Sequence, residues 1–285
     1  MKYSVSKDIT FICKLLNISY SELANYLGVA RSTVNRIVKE EVYPNDLFIE
    51  SFYSFAYEND INSISINELK IKLAQEQYGN ILFHGARGSI EGDIDLKHSR
   101  SDIDVGCGFY LGESFEQASS YVFANLKSSV YLFDTTQLSK LKIKQFDESL
   151  DWMLMVSYYR GQLEDYKDSK YLKDLINEVE MFDVIIAPIA DNNMYETMNM
   201  FARGDITDLQ AVSALSMSHL GLQHVLKTEA ACKSITMVDR LYLCKKERQD
   251  IEDVRRDNAS KAYQHSREMI EKYRRQGKYI EEILK

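Results

Sequence analysis

The residues with chemistry to offer lie between positions 81 and 121. An apolar, β-prone run, Ile81-Leu82-Phe83, stops at His84-Gly85. Such a run reads as a buried strand that delivers one polar ring to a cleft, with a glycine beside it that lets a ligand approach the backbone. A second glycine pair, Gly106-Cys107-Gly108, leads straight into Phe109-Tyr110 and is expected to act in the same way from a neighbouring strand. A helix-like segment then ends at Tyr121. Metal chemistry is not expected, because the four cysteines, Cys13, Cys107, Cys232 and Cys244, are scattered and share no ligand spacing with the five histidines.

The elements that must position these residues follow from the apolar pattern. Strand-like runs occupy 81–84, 130–134, 183–188 and 222–227, and helical stretches cover 150–159, 171–180 and 208–218. Their order is mixed and the spacing does not repeat, which points to α+β rather than a regular βαβ series. Residues 61–77 read as the end of a helical domain and a polar connection. The charged tail from 245 carries a narrow apolar stripe, as one or two long helices would, with a break at Gly277. Either packing on the body of the protein or contact with a partner accounts for that stripe.

Three motifs in order, His84-Gly85, Gly106-Cys107-Gly108-Phe109-Tyr110, and Tyr121 after ten further residues, resemble the nicotinamide pocket of ADP-ribosyltransferases of the diphtheria-toxin and poly(ADP-ribose) polymerase type. The resemblance extends from about 81 to 243. DWMLMVSYYRG, FDVIIAPIADNNMY and LGLQHVLKTEAACKSI are similar to a bacterial family grouped with these transferases and long described as of unknown function. It implies a split antiparallel β-sandwich with helices, with NAD as substrate. Gly85 is implied to offer backbone hydrogen bonds to the carboxamide, Tyr110 and Tyr121 to sandwich the ring, and His84 to bond a ribose hydroxyl of the adenosine half. Gly108, Phe109 and Arg87 are implied to complete the cofactor contacts.

Two positions depart from the family pattern. Ala86 stands where a serine is usual, which removes one hydroxyl contact. Gln223 falls where a glutamate normally meets the 2′-hydroxyl of the reacting ribose; it keeps a hydrogen bond and gives up the charge. Transfer of a single ADP-ribose is then expected rather than chain elongation, with His84, Tyr110 and Gln223 as the catalytic set. Glu229 is a lesser candidate. Arg87, Arg100 and Arg160 could meet phosphates or form surface ion pairs, while Asp102, Asp104 and Asp191 are read as loop caps.

Ahead of this region, 9–16, 19–27 and 30–39 read as three short amphipathic helices, and 44–57 supplies a further one. Ser19 and Ser21 offer N-capping hydroxyls ahead of Glu22, and Gly28 turns the chain. The spacing of Ala24, Gly28 and Val34 resembles the helix-turn-helix of phage repressors, with Arg31, Ser32, Asn35 and Arg36 facing DNA. Against that, residues 1–70 hold 7 Lys and Arg but 9 Asp and Glu, so docking to protein or dimerisation stands beside DNA reading.

Composition sets the outer bounds. Of 285 residues, 45% are hydrophobic and 27% charged, an ordinary globular balance, and the net charge of −8 offers no global attraction to nucleic acid or anionic membrane. No apolar run approaches the roughly 18 residues of a membrane span, and the opening residues are too interrupted by charge for a secretion signal, so a cytoplasmic location is expected. The expected organisation is a helix-turn-helix domain over 1–72, a transferase-like domain over 78–245 and a helical extension over 246–285. The function this implies is an NAD-dependent mono-ADP-ribosyltransferase of the bacterial toxin or phage-defence kind, without metal, acting on a protein or nucleic-acid acceptor. An antitoxin or a second copy would be its partner. The alternatives are an NAD- or ADP-ribose-binding transcriptional regulator with a degenerate transferase domain, and an NAD glycohydrolase.

Overall fold

The computed structural model describes residues 2–59, 64–96, 99–125, 127–190, 192–216 and 221–285. Helices α1 (Val5–Leu16), α2 (Tyr20–Tyr26), α3 (Arg31–Val38), α4 (Asp46–Glu58) and α5 (Ile66–Tyr78) precede strands β1 (Ile81–Ala86) and β2 (Phe109–Gly112). Next come α6 (Phe115–Ser120), β3 (Ser129–Asp134), β4 (Ile143–Gln145), α7 (Leu150–Tyr159), α8 (Lys170–Val179) and β5 (Val184–Pro188). The chain continues through α9 (Asn192–Ala202), α10 (Asp208–Leu215), β6 (Leu222–Leu226), α11 (Glu229–Lys233), β7 (Thr236–Tyr242), α12 (Lys245–Lys272) and α13 (Ile280–Leu284). This is an α+β fold with helices at both ends, as expected. Two units divide it, one of residues 1–91, 118–134 and 237–253, the other of 92–117, 135–236 and 254–285.

In the first unit, local chemistry sets the helix boundaries. Ser19 Oγ accepts from the Glu22 amide at 3.2 Å and the Glu22 carboxylate accepts from the Ser19 amide at 2.7 Å, a capping box that satisfies two N–H groups no helical carbonyl can reach. Gly28 turns the chain into α3 at a φ of +66°, a conformation that costs glycine little. Ile9, Leu23, Val34, Ile37 and Phe52 then share one buried core. Antiparallel pairing sets Ile81 of β1 opposite Asp134 of β3 and Gly85 opposite Val130, and β7 lies on the other side of β3.

The stretch expected to be a polar connection is instead a packed helix. Residues 61–63 fall outside the described residues, but from Ser65, which forms a capping box with Glu68, α5 runs to Tyr78. Its polarity misled because Asn67 and Lys70 face inward with partners. Lys70 Nζ lies 2.9 Å from Asp8 Oδ2 and 3.0 Å from Asp239 Oδ2, and the Tyr53 hydroxyl donates to Asp8 Oδ2 at 2.6 Å. Burial alone would lower the pKa of the ammonium; Asp8 and Asp239 outweigh it and hold the charge.

In the second unit the strand order is β4-β5-β6-β2. β5 and β2 both pair antiparallel with β6, but β4 and β5 run parallel, so the all-antiparallel expectation fails at this edge. The connection from β4 to β5 passes through α7 and α8, a crossover long enough to bring the chain back in the same direction. Trp152 is buried beside Met153, Met198, Phe201, Ile185 and Val225, and its indole N–H donates to the Pro188 carbonyl at 3.1 Å. The expected helix over 208–218 is α10 as far as Leu215; residues 217 and 218 fall outside the described residues. The tail breaks near Gly277, at a φ of +87°, and α13 sends Ile280 and Leu284 into this core. No helix among the described residues is long and apolar enough to cross a membrane.

A buried carboxyl yields a pH test. Glu247, in the first turn of α12, accepts from Asn67 Nδ2 at 2.9 and 3.2 Å, while the buried Asn67 Oδ1 finds no partner among the described residues. Burial raises the Glu247 pKa from 4.5 to about 7. A raised carboxyl contributes stability that is full below its unfolded pKa and lost as pH rises through its folded one. Glu247→Gln should therefore stabilise the protein by on the order of 2–3 kcal/mol at pH 8 and by less than about 1 kcal/mol at pH 5. Urea denaturation at the two pH values checks this; an equal gain at both would show that Glu247 is not titrating between them.

Candidate functional site

His84 and Gly85 sit in β1, and Gly85 has a packing reason to be glycine. A Cβ there would stand 2.1 Å from the Ala118 carbonyl oxygen and 3.1 Å from Val122 Cγ1. The end of α6 and the turn after it thus lie directly against the strand, and this turn carries Tyr121, which is 54% exposed. Gly85 and the Tyr121 turn are in this way brought together within the first unit. The chain leaves β1 through Ala86 and Arg87, whose side chain is exposed. A little further on, the Tyr131 hydroxyl accepts from the Ile90 amide at 2.9 Å, which anchors the loop to β3.

The second glycine pair is just as tightly constrained. Gly108 faces β6 so closely that a Cβ would reach 2.4 Å from Val225 Cγ1, and Gly106, at a φ of +69°, leaves space that the Tyr159 ring fills. Ser99 Oγ accepts from the Gly108 amide at 2.9 Å and holds the approach to β2. Tyr110 ties its hydroxyl back to the same loop, donating to the Gly106 carbonyl at 2.6 Å and accepting from the Val105 amide at 3.1 Å. Burial pushes the phenol pKa well up, so Tyr110 stays protonated. Phe109, expected beside it as a second cofactor contact, projects from the opposite face of β2, because successive strand residues alternate.

β6 supplies the third position. Gln223 lies opposite Gly112 of β2 and Ala187 of β5, and Val225 lies opposite Tyr110 and Ile185. Directly opposed residues share a face, so Tyr110 and Gln223 point to the same side, two positions apart along β6. Glu229, the lesser candidate, opens α11 after the strand has ended and pairs with Lys233 at 3.3 Å in the open.

Gln223 is 7% exposed and belongs to a buried network that sequence reasoning missed. Its Nε2 donates to Asp104 Oδ2 at 2.9 Å and to the Pro188 carbonyl at 3.1 Å. Arg160 Nη2 donates to Asp104 Oδ1 at 2.6 Å, and the Tyr195 hydroxyl lies 2.8 Å from both Asp104 Oδ1 and the Ala190 carbonyl. The Arg160 guanidinium also stacks over the Tyr195 ring, 3.6 Å from its centre. Asp104 is therefore no loop cap. Burial raises its pKa, opposed by the hydrogen bond from Gln223 and the charge of Arg160. Asp102 does stay in the loop, in an exposed pair with Arg100 at 2.7 Å, and Asp191 lies outside the described residues. In the run SRSDIDVGCG nothing sets Asp104 apart from Asp102, and only the fold brings it to Arg160.

Among the N-terminal candidates, Arg31, Ser32 and Arg36 are exposed on α3, and Asn35 is half-buried. Val34 and Ile37 hold the opposite side of the helix in the core. Arg36 Nε stands 3.7 Å from Glu41, which takes up part of its charge.

The chain belongs to the family described as "Protein of unknown function (DUF3990)", whose profile matches residues 80–237, more than half of its length. No curated protein and no solved structure matches it.

The contact at Gly85 separates packing from ligand binding. Gly85→Ala must displace a backbone carbonyl rather than a flexible side chain, so it should destabilise the protein by about 1–3 kcal/mol with no ligand present. Denaturant unfolding of the variant measures this, and unchanged stability would mean that the turn at 118–122 is free to move away.

Proposed function

We propose that the chain is an NAD-dependent mono-ADP-ribosyltransferase of the bacterial toxin or phage-defence kind, acting on a protein or nucleic-acid acceptor, with its strands forming a split β-sandwich of the transferase type that is antiparallel except at the β4–β5 edge. The observation that carries this reading is the pairing of β2 with β6, which sets Tyr110 and Gln223 on one face. Those residues stand where the transferase motifs put an aromatic wall and the group that meets the reacting ribose.

The chemistry is cleavage of the bond between the ribose C1′ and the nicotinamide nitrogen. The bonding pair leaves with nicotinamide, which becomes neutral, and the sugar passes through an oxocarbenium-like state. An acceptor nucleophile then bonds to C1′ and releases its proton. Because the leaving group is already cationic, the protein needs mainly to hold the ring flat and to orient the ribose. Tyr121 offers its exposed ring to the pyridinium, an arrangement favoured by the negative face of an aromatic. Tyr110, fixed through its hydroxyl, is a rigid wall. His84 bonds a ribose hydroxyl and Gly85 bonds the carboxamide through its backbone.

One observation favours a second reading, an NAD- or ADP-ribose-binding regulator without turnover. Gln223 brings no negative charge of its own, and Arg160 offsets that of its neighbour Asp104. Oxocarbenium stabilisation by charge is correspondingly weaker.

The deciding experiment incubates the purified chain with NAD labelled in the adenylate, alone and with protein lysate, DNA or RNA, and follows both free nicotinamide and transferred label. Label in one macromolecular fraction is the expected result. Release without label points to a glycohydrolase, and bound NAD with neither signal points to the regulator. His84→Ala and Tyr121→Ala should each lower release at least tenfold with little loss of thermal stability, since neither side chain is fully buried. Full activity in both would place the site elsewhere.

For the N-terminal helices, we propose DNA contact through the exposed flank of α3. Replacing Arg31 and Arg36 together with alanine should weaken binding to genomic fragments and flatten its salt dependence by roughly one to two units of slope. An unmodified chain with no affinity for such fragments leaves α2 and α3 as a protein-docking element.

A further inference from the structure

We infer that Asp104 is a positioning residue that fixes which end of the Gln223 amide faces outward. An amide side chain presents either an acceptor or two donors, depending on a half-turn about its last bond. Here the two atoms next to Gln223 Nε2 are Asp104 Oδ2, at 2.9 Å, and the Pro188 carbonyl oxygen, at 3.1 Å. Both only accept. Turning the amide over would press its oxygen against two oxygens, so Nε2 is held inward and Oε1 is the end left to receive a donor.

The orientation depends on Asp104 being a carboxylate, since donors converge on both of its oxygens. Oδ2 takes Gln223 Nε2 and, at 3.4 Å, the Ala190 amide. Oδ1 takes Arg160 Nη2 at 2.6 Å and Nε at 3.2 Å, with the Tyr195 hydroxyl at 2.8 Å. An asparagine has only one acceptor atom. Arg160, being charged, claims it most strongly, and the asparagine NH₂ is then left facing Gln223. The Pro188 carbonyl alone is then left to hold Gln223 Nε2 inward against the new donor, so the fixed orientation is lost and the NH₂ can move to the outward side.

The consequence for turnover rests on the transferase reading. A ribose 2′-hydroxyl that donates to Oε1 in the unmodified chain meets a donor in the variant. Replacement of Gln223 by glutamate fails for the complementary reason, because two carboxylates would share the space that one amide and one carboxylate fill. Exchanging the two groups restores the contact between them, because the amide introduced by Asp104→Asn accepts from Arg160 and donates to the carboxylate introduced by Gln223→Glu, while the Pro188 carbonyl loses its donor and makes the restoration partial.

The test compares the full chain with Asp104→Asn, Gln223→Glu and the double exchange, by steady-state nicotinamide release from NAD and by side-chain amide NMR of glutamine-labelled protein. The exchange keeps the total charge of the cluster and so guards against simple loss of fold. Asp104→Asn should lower kcat at least tenfold with KM for NAD within about threefold, and the exchange should recover part of it. In the NMR spectra, the slowly exchanging Gln223 amide protons should become fast in Asp104→Asn. Unchanged kcat together with unchanged protection overturns the inference, as does an exchange variant no better than either single one. A wild-type chain that neither binds nor cleaves NAD overturns the proposed function instead. In that case the NMR arm still decides the orientation: lost protection upholds it and unchanged protection overturns it.

Discussion

A carboxylate removed from water holds the second unit's polar interior in order. Asp104 is 5% exposed, and its cost is offset only because Arg160, Tyr195, Gln223 and the Ala190 amide all turn toward it. These partners come from the end of α7, from α9, from β6 and from the loop after β5. Loss of one member of a buried charged pair typically costs about 3–5 kcal/mol, whereas exposed pairs such as Arg100 with Asp102 or Lys170 with Asp174 are worth about 0–1 kcal/mol. Among the ion pairs of this unit, the one at Asp104 thus ties several elements together.

The glycines that first drew attention carry two duties at once. Gly85 admits the Ala118 carbonyl, Gly108 admits Val225, and Gly106 makes room for the Tyr159 ring. Each contact is internal to the protein and needs no ligand. The motif therefore describes how strands and turns approach one another as well as how a small molecule could approach the backbone. Its rigidity follows, since a loop closed by packing on glycine and by the Tyr110 hydroxyl keeps the Tyr110 ring in a fixed direction.

What could be read from the sequence was what depends on neighbours along the chain. Ser19 with Glu22, and Gly28 after them, announced a helix, its start and its turn. The continuous apolar runs of β1, β3 and β5 announced buried strands, and α7 fell where its pattern put it. Elements whose polar residues find partners far away in sequence stayed hidden. Helix α5 looked like a connection because Lys70 and Asn67 gave no hint of Asp8, Asp239 or Glu247. Strand β7 was concealed by Asp239 and Arg240, which pair with Lys70 and Ser129. Asp104 looked like one of several loop acids, and only the fold sets it against residues 160, 195 and 223. The candidate positions on β1, β2 and β6 were legible as types and spacings; the commitment of Gln223 to an internal network was not.

The first unit is not one stretch of chain but three, 1–91, 118–134 and 237–253. During synthesis the N-terminal helices emerge long before β7, which supplies Asp239 to the buried Lys70, and before Glu247, which bonds Asn67. A nascent chain that has reached only β1 thus carries a buried-to-be lysine with one of its two counter-ions still unmade. Contacts of such long sequence separation are slow to form and leave partly assembled surfaces open to chaperones and proteases. The amino-terminal helices should accordingly become resistant to digestion only when the carboxy-terminal part of the same unit has been made, a coupling in time between the two ends of the polypeptide.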